Sequence, residues 1–200
     1  MNSCVMRVAA AAAVLIAMTG TAMAHPGHAD AGGFALGFVH PLGGFDHVLV
    51  MMAVGLYATL LGGRTLWLVP ATFVCVMAFG GALGAVGYAL PYTEVGIALS
   101  VVVLGVAVAL RVSLPALAAM TLAGVFAAFH GHAHGAEMPQ NLSGYEYAAG
   151  FLGATALLHG AGIALGLGMG KLSELGGRRV TQASGAAMAL AGLVLLVVVR

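Results

Sequence analysis

Long apolar runs separated by short breaks dominate the chain. Glycine, proline and basic residues interrupt these runs at five places. A helix that crosses a bilayer needs about 20 mostly apolar residues, and most of the runs have about that length. The pattern predicts an all-α bundle of six membrane-spanning helices, at residues 34–61, 66–90, 93–110, 113–130, 145–169 and 180–199.

The first 24 residues have the pattern of a secretory signal peptide. Arg7 precedes an apolar run that extends to Met18. The segment ends in Ala22-Met23-Ala24, the small-x-small sequence that signal peptidase accepts. Cleavage at that point leaves residues 25–200 as one transmembrane domain. The alternative is an uncleaved first helix, although this apolar run is short for a membrane span.

The charged residues predict the orientation of the bundle, because basic residues concentrate in the cytoplasmic loops of membrane proteins. If cleavage leaves the new amino terminus outside, the first, third and fifth loops lie inside. Those loops hold Arg64, Arg111, Lys171, Arg178 and Arg179. The outer segments hold Asp30, Glu94, Glu137 and Glu146. We therefore expect a multi-pass protein of a bacterial inner membrane with both termini in the periplasm.

Composition supports the membrane prediction and excludes several classes of protein. Hydrophobic residues make up 62% of the chain and charged residues 6%, whereas a soluble domain is roughly one quarter charged. The net charge is +1, without a basic region or tail, so no nucleic-acid partner is expected. No GxxxxGK[ST] motif is present, so no nucleotide is expected. Glycines at four-residue spacing (Gly80 and Gly84; Gly162, Gly166 and Gly170) predict close helix packing.

The eight histidines are unusual in so apolar a chain. On the predicted topology all of them lie on the outer side or open toward it: His25, His28, His40, His47, His130, His132, His134 and His159. Asp46 lies well inside an apolar run, where an ionised group needs a partner or a cavity. Imidazole and carboxylate together suit divalent ions such as nickel, cobalt and zinc. The sequence therefore predicts a metal site around Asp46 and His47.

The spacing of His40 and His47 bears on the shape of this site. On a straight helix the two residues share a face but lie about 10 Å apart, because each residue rises about 1.5 Å. Two nitrogens bound about 2.1 Å from one ion cannot be so far apart. Either the two histidines bind successive ions, or the helix is interrupted between them. Proline and glycine at 41–44 favour an interruption there.

A second group of histidines follows the fourth predicted span, in the sequence FHGHAHGAE. His130 and His134 are four residues apart and share a face wherever the segment is helical, as the two histidines of a zinc-binding helix do. Glu137 follows three residues later. For His132, a position in a hydrated loop is the alternative to a role as a ligand.

Three segments resemble the HupE/UreJ family, small nickel or cobalt permeases associated with hydrogenase, urease and cobalamin metabolism. His40 to His47, with Met51, is similar to that family's HP-x-x-G-x-DH-x-x-x-M signature. Phe129 to Glu137 is similar to FHG-x-AHG-x-E, and Gly150 to His159 provides a third match. The resemblance implies an ion path that contains His40, Asp46, His47, His130, His134, Glu137 and His159. His25, His28 and His132 are further candidates.

The resemblance implies uptake of Ni²⁺ or Co²⁺ driven by the membrane potential, with the ion as cargo rather than as a permanently bound cofactor. A membrane subunit that binds or delivers metal without moving it is one alternative. An intramembrane zinc hydrolase is another, although the chain has neither HExxH nor GxSxG. We therefore expect a permease rather than an enzyme.

Overall fold

The computed structural model describes residues 32–139, 143–171 and 174–199. Within these ranges the chain forms seven α-helices and no strand. They are α1 (Gly33–Gly43), α2 (Phe45–Leu61), α3 (Thr65–Ala85), α4 (Thr93–Ala109), α5 (Ala116–Ala136), α6 (Gly144–Gly170) and α7 (Glu174–Val198). The all-helical architecture is confirmed. The predicted signal peptide, with His25 and His28 just after it, lies outside the described residues.

Four of the described helices are long and apolar enough to cross a membrane by themselves. They are α3, α5, α6 and most of α7, from Leu175 to Val198. Helices α1 and α2 pass the same test only as a bent pair, and α4 is apolar but shorter, with 17 residues. The predicted count of six spans therefore depends on how α4 and the bent pair are placed in the bilayer.

The predicted helix at 34–61 is broken in the structure. Helices α1 and α2 meet at an angle of 83°, and Gly44 lies between them in an extended conformation. The interruption predicted near 41–44 is thus confirmed. Pro41 is inside the last turn of α1. The bend separates His40, at the end of α1, from His47, in the first turn of α2.

Three predicted boundaries are wrong. Helix α3 ends at Ala85 rather than at residue 90. Helix α5 continues to Ala136, although the predicted span ends at residue 130. Helix α7 begins at Glu174 rather than near 180, so part of the basic segment is helical. For α5 the reason is packing, because a Cβ at Gly131 would collide with the backbone of Met77. Glycine here allows two helices to touch rather than ending one of them.

The helices pack mainly in pairs, α3 on α5 and α4 on α7, with α6 against both α1 and α2. Helix α2 also contacts α3 and α4, so it is surrounded by other helices. Its residues Val50, Met51, Val54 and Tyr57 are fully buried. The centre of the bundle is therefore the helix that begins with Asp46 and His47.

Glycines bring α2 and α6 into backbone contact. A Cβ at Gly55 would overlap the carbonyl oxygen of His159, and a Cβ at Gly162 would overlap that of Met52. A Cβ at Gly166 would overlap the side chain of Thr59 rather than backbone, whereas a Cβ at Gly170 would meet open space. The close packing predicted from the four-residue glycine spacing is confirmed for Gly162 and Gly166. It holds His159 against α2.

Replacing Gly162 by Ala tests this contact. The added methyl group should force α2 and α6 apart and destabilise the bundle by about 1–3 kcal/mol. Gly160→Ala on the same helix is the matched control, because a Cβ there meets nothing within 4 Å, and alanine favours the helix. Thermal unfolding of the purified protein in detergent, followed by circular dichroism, should show a lower Tm for Gly162→Ala alone. Equal Tm values for the two variants would contradict the close approach.

Candidate metal centre

The bend between α1 and α2 and the extension of α5 bring ligand side chains from three helices together. Helix α1 supplies His40 at its end, and α2 supplies His47 at its start. The last two turns of α5 supply His130 and His134, and Glu137 follows as the C-cap residue. These residues form two groups of three that could hold a metal ion, and the two groups share one member.

The first group, here called the buried trio, consists of His47, His130 and His134. His47 Nδ1 lies 3.3 Å from His130 Nδ1 and 3.1 Å from His134 Nε2. Two nitrogens bound to one tetrahedral ion at about 2.1 Å are about 3.4 Å apart, so this spacing suits a single divalent ion. His47 and His130 are only 1% and 0% exposed, which shields the site from bulk water.

The second group, here called the exposed trio, consists of His40, His134 and Glu137. His40 Nε2 lies 2.9 Å from His134 Nδ1 and 3.5 Å from Glu137 Oε2. The His134 and His40 rings, which can donate to the Glu137 carboxylate, lower the pKa of Glu137 well below its usual range. Glu137 is therefore an anion at neutral pH, and more than half of its side chain is exposed.

His134 belongs to both trios through different ring atoms. Its Nδ1 faces His40 and Glu137, whereas its Nε2 faces His47. A neutral imidazole carries a lone pair on one nitrogen and a proton on the other. A neutral His134 can therefore bind an ion in one trio or in the other, but not in both at once.

Two hydroxyl groups orient the rings of the buried trio. Ser100 Oγ donates to the carbonyl of Ile97 at 2.5 Å, so it accepts from His130 Nε2–H at 2.9 Å. This hydrogen bond leaves the lone pair of His130 on Nδ1, the nitrogen that faces His47. Thr155 Oγ1 donates to Met77 Sδ, so it can accept from His47 Nε2–H at 3.5 Å. That contact leaves the lone pair of His47 on Nδ1.

Neither Ser100 nor Thr155 was predicted to be a site residue. Each is a hydroxyl residue within an otherwise apolar run, and Thr155 also lies within the third family match, Gly150 to His159. Hydroxyl residues in apolar helices also occur without any function. Only the fold shows that these two contact histidines. Both side chains are 0% exposed.

An aromatic ring closes the site on one side. The ring of Phe151, on α6, lies 4.7 Å from the His134 ring, 5.2 Å from the His47 ring and 6.5 Å from the His40 ring, measured between centroids. It thus contacts members of both trios. An apolar wall of this kind keeps water away and strengthens electrostatic interactions inside the site.

Asp46 lies beside the two trios rather than within either of them. Its carboxylate accepts a hydrogen bond from the backbone N–H of His47 at 2.7 Å, at the start of α2, where the helix dipole favours negative charge. Glu94, in the first turn of α4, is close enough to interact electrostatically with Asp46 and Glu137. Glu94 contributed to the predicted orientation but was not among the predicted site residues.

Two further predicted residues, His159 and His132, belong to neither trio. His159 is 2% exposed, and neither ring nitrogen has a hydrogen-bond partner among the described residues. Its ring lies edge-on to Phe73 at 5.2 Å, and Phe73 also contacts the His130 ring at 5.9 Å. His132 points away from both trios, toward the backbone carbonyl of Tyr88. It is a buried helical residue rather than part of a hydrated loop.

Comparison with known proteins confirms the resemblance seen in the motifs. Residues 12–195 match the family described as HupE / UreJ protein. Protein HupE of Rhizobium leguminosarum bv. viciae is 48% identical over 184 residues, which cover 91% of this chain and 93% of that protein. No solved structure matches the chain. With its long apolar helices, this chain is therefore a membrane protein that belongs to the HupE/UreJ family.

Proposed function

We propose that this protein is a permease that carries Ni²⁺ or Co²⁺ from the periplasm into the cytoplasm. The observation that supports it best is the shared ring of His134, which joins an exposed ligand group to a buried one. A protein that only stores or senses an ion needs one site. Two overlapping sites, one accessible and one shielded, suit the stepwise transfer of an ion. The resemblance to nickel and cobalt permeases suggests the cargo.

The proposed topology follows the distribution of charge. Signal peptidase removes residues 1–24, and α1 with α2 then form one broken span among six. The ligand residues lie at the end of the bundle where α2 begins and α5 ends. At the other end lie the basic residues Arg64, Arg111, Lys171, Arg178 and Arg179. By the positive-inside rule the ligand end faces the periplasm, as do both termini.

Capture begins at the exposed trio. Glu137 is ionised and exposed, so it attracts a hydrated divalent cation, and His40 and His134 replace some of its water ligands. The carboxylates of Asp46 and Glu94 add negative charge close by. A cleft with charges of one sign raises the local concentration of the opposite ion. We therefore assign Asp46 an electrostatic role next to the ion path.

Transfer to the buried trio requires His134 to exchange its lone pair and its proton between the two nitrogens. While Nδ1 holds the ion, the proton is on Nε2. On transfer the Nε2 proton is released to water and Nδ1 takes one from water at the exposed trio, so the net charge of the ring does not change. His47 Nδ1 and His130 Nδ1 then complete the new ligand set. Because the ion passes from one neutral imidazole ligand to another, each step remains reversible.

His159 extends the path further into the bundle. Neither of its ring nitrogens has a hydrogen-bond partner among the described residues, and a buried polar group in this condition can bind a ligand instead. The Phe73 ring lies between His130 and His159 and contacts both. Inward movement of a divalent ion gains roughly 4.6 kcal/mol per 100 mV of membrane potential, which is sufficient as a driving force.

His134→Gln is the central test, with His132→Gln as the matched control on the same helix. Glutamine at 132 keeps an N–H for the Tyr88 carbonyl, whereas glutamine at 134 removes a ligand from both trios. We expect His134→Gln to lower transport at limiting nickel at least about tenfold and His132→Gln to retain most of it. The assay uses purified protein in vesicles loaded with a metal-quenched dye. If the unmodified protein binds nickel but quenches no dye, it is a delivery subunit and the permease proposal fails.

Asp46→Asn separates charge from structure at the start of α2. The asparagine oxygen can still accept from the His47 N–H, so the amount of membrane-inserted protein should stay the same. Loss of the negative charge should lower uptake of radiolabelled nickel per inserted molecule by about tenfold at limiting metal. Uptake close to that of the unmodified protein would remove Asp46 from the mechanism.

Cysteine labelling tests the topology. Starting from a variant without Cys4 and Cys75, a cysteine in place of Met138 should react with a membrane-impermeant thiol reagent added to intact spheroplasts. A cysteine in place of Arg179 should react only after the membrane is opened. The reverse pattern would overturn the orientation and place the exposed trio in the cytoplasm.

A further inference from the structure

A cavity of about 650 Å³ lies at the end of the bundle opposite the histidines. The ends of α2 and α6, the α4–α5 connection and the first turns of α7 form its walls. Arg111, Lys171 and Arg178 line it, one from each of three separate segments. We call this cavity with its three cations the basic pocket.

The charges of the basic pocket are not balanced by the described residues. Among the residues whose side chains the structure describes, no Asp or Glu lines the pocket, and both ion pairs lie at the histidine end. Three cations around one cavity repel one another, so an anion bound between them lowers their electrostatic energy. Arg64 and Arg179 belong to the same end of the bundle but do not line the cavity. The positive-inside rule alone would not require this convergence.

The remaining lining suggests what kind of anion fits. The hydroxyl groups of Thr59 and Thr181 donate to the carbonyls of Leu56 and Gly177 in their own helices. The donors left for a ligand are therefore guanidinium and ammonium groups, which are the groups that bind phosphate.

The rim of the basic pocket is apolar and exposed. Leu167 is 51% exposed and Leu175 is 68% exposed, and both line the cavity. A ligand with a phosphate head and a hydrocarbon tail would contact both kinds of surface at once. Anionic phospholipids have this chemistry, and basic pockets between helices on the cytoplasmic side of membrane proteins bind such headgroups.

We propose that the basic pocket binds a phosphate group through Arg111, Lys171 and Arg178. An anionic phospholipid headgroup or free phosphate can supply that group, and the apolar rim favours the lipid. Binding joins the end of α6 to α7 and to the α4–α5 connection, so it stabilises the folded bundle. The proposal is independent of the transported ion.

The test measures thermal unfolding of the full-length protein in detergent with phosphatidylglycerol, with phosphatidylcholine or with inorganic phosphate at constant ionic strength. The pocket variant is Arg111→Gln with Arg178→Gln. The control is Arg64→Gln with Arg179→Gln, which removes the same charge from the same end of the bundle. We expect phosphatidylglycerol, but not phosphatidylcholine, to raise the Tm of the unmodified protein and of the control. In the pocket variant the increase in Tm caused by phosphatidylglycerol should be at least threefold smaller.

The inorganic phosphate arm identifies the source of the phosphate group. A rise with phosphatidylglycerol alone supports a lipid site, and a rise with inorganic phosphate as well supports a free-anion site on the same cations. Equal loss in both double variants, or no rise with either ligand, overturns the proposal. If the pocket variant does not fold, Lys171→Gln is examined by native mass spectrometry, where retained lipid adducts would refute the assignment.

Discussion

Burial of imidazole nitrogens in an apolar bundle is the constraint on which this structure depends. A ring nitrogen removed from water needs a hydrogen bond or a metal ion, because an unmade bond in a low-dielectric interior is costly. His130 Nε2–H donates to Ser100, and His47 Nδ1 can accept from His134 Nε2–H. The lone pair on His130 Nδ1 faces His47 Nδ1 at 3.3 Å and is left for a metal ion. The three rings therefore lie within contact of one another. The same proximity makes them a ligand set, so the stability and the chemistry of the site have one origin.

Helix geometry makes this cluster possible through two local features. The 83° bend at Gly44 lets His40 and His47 approach the end of α5 from different directions. Helix continuity through Gly131 and Gly135 keeps His130 and His134 on one face, and both glycines allow the α3 backbone to approach. A straight first span would place His40 about 10 Å from His47 along the axis. With the bend, each of them contacts a different nitrogen of His134.

The two ends of the bundle differ in chemistry. Carboxylates and imidazoles surround the histidine end, and guanidinium and ammonium groups surround the other. A cation entering at the first end meets favourable charge, whereas a cation near the second is repelled. In the proposed permease this asymmetry favours capture on one side and departure on the other. A phosphate group in the basic pocket reduces that repulsion and joins the three segments that supply Arg111, Lys171 and Arg178.

The sequence by itself determined the all-helical class, the membrane character, the interruption at 41–44 and the family, because apolar run length, proline and glycine positions and local motifs are all properties of neighbouring residues. It also identified the histidines and Glu137 as candidates. Only the tertiary structure decided that His134 belongs to two ligand groups, that Asp46 belongs to neither, that Ser100 and Thr155 orient the rings, and that Glu94 interacts electrostatically with Asp46 and Glu137. These relations join residues from helices far apart in the chain. Their distances follow from helix packing, which local patterns do not encode.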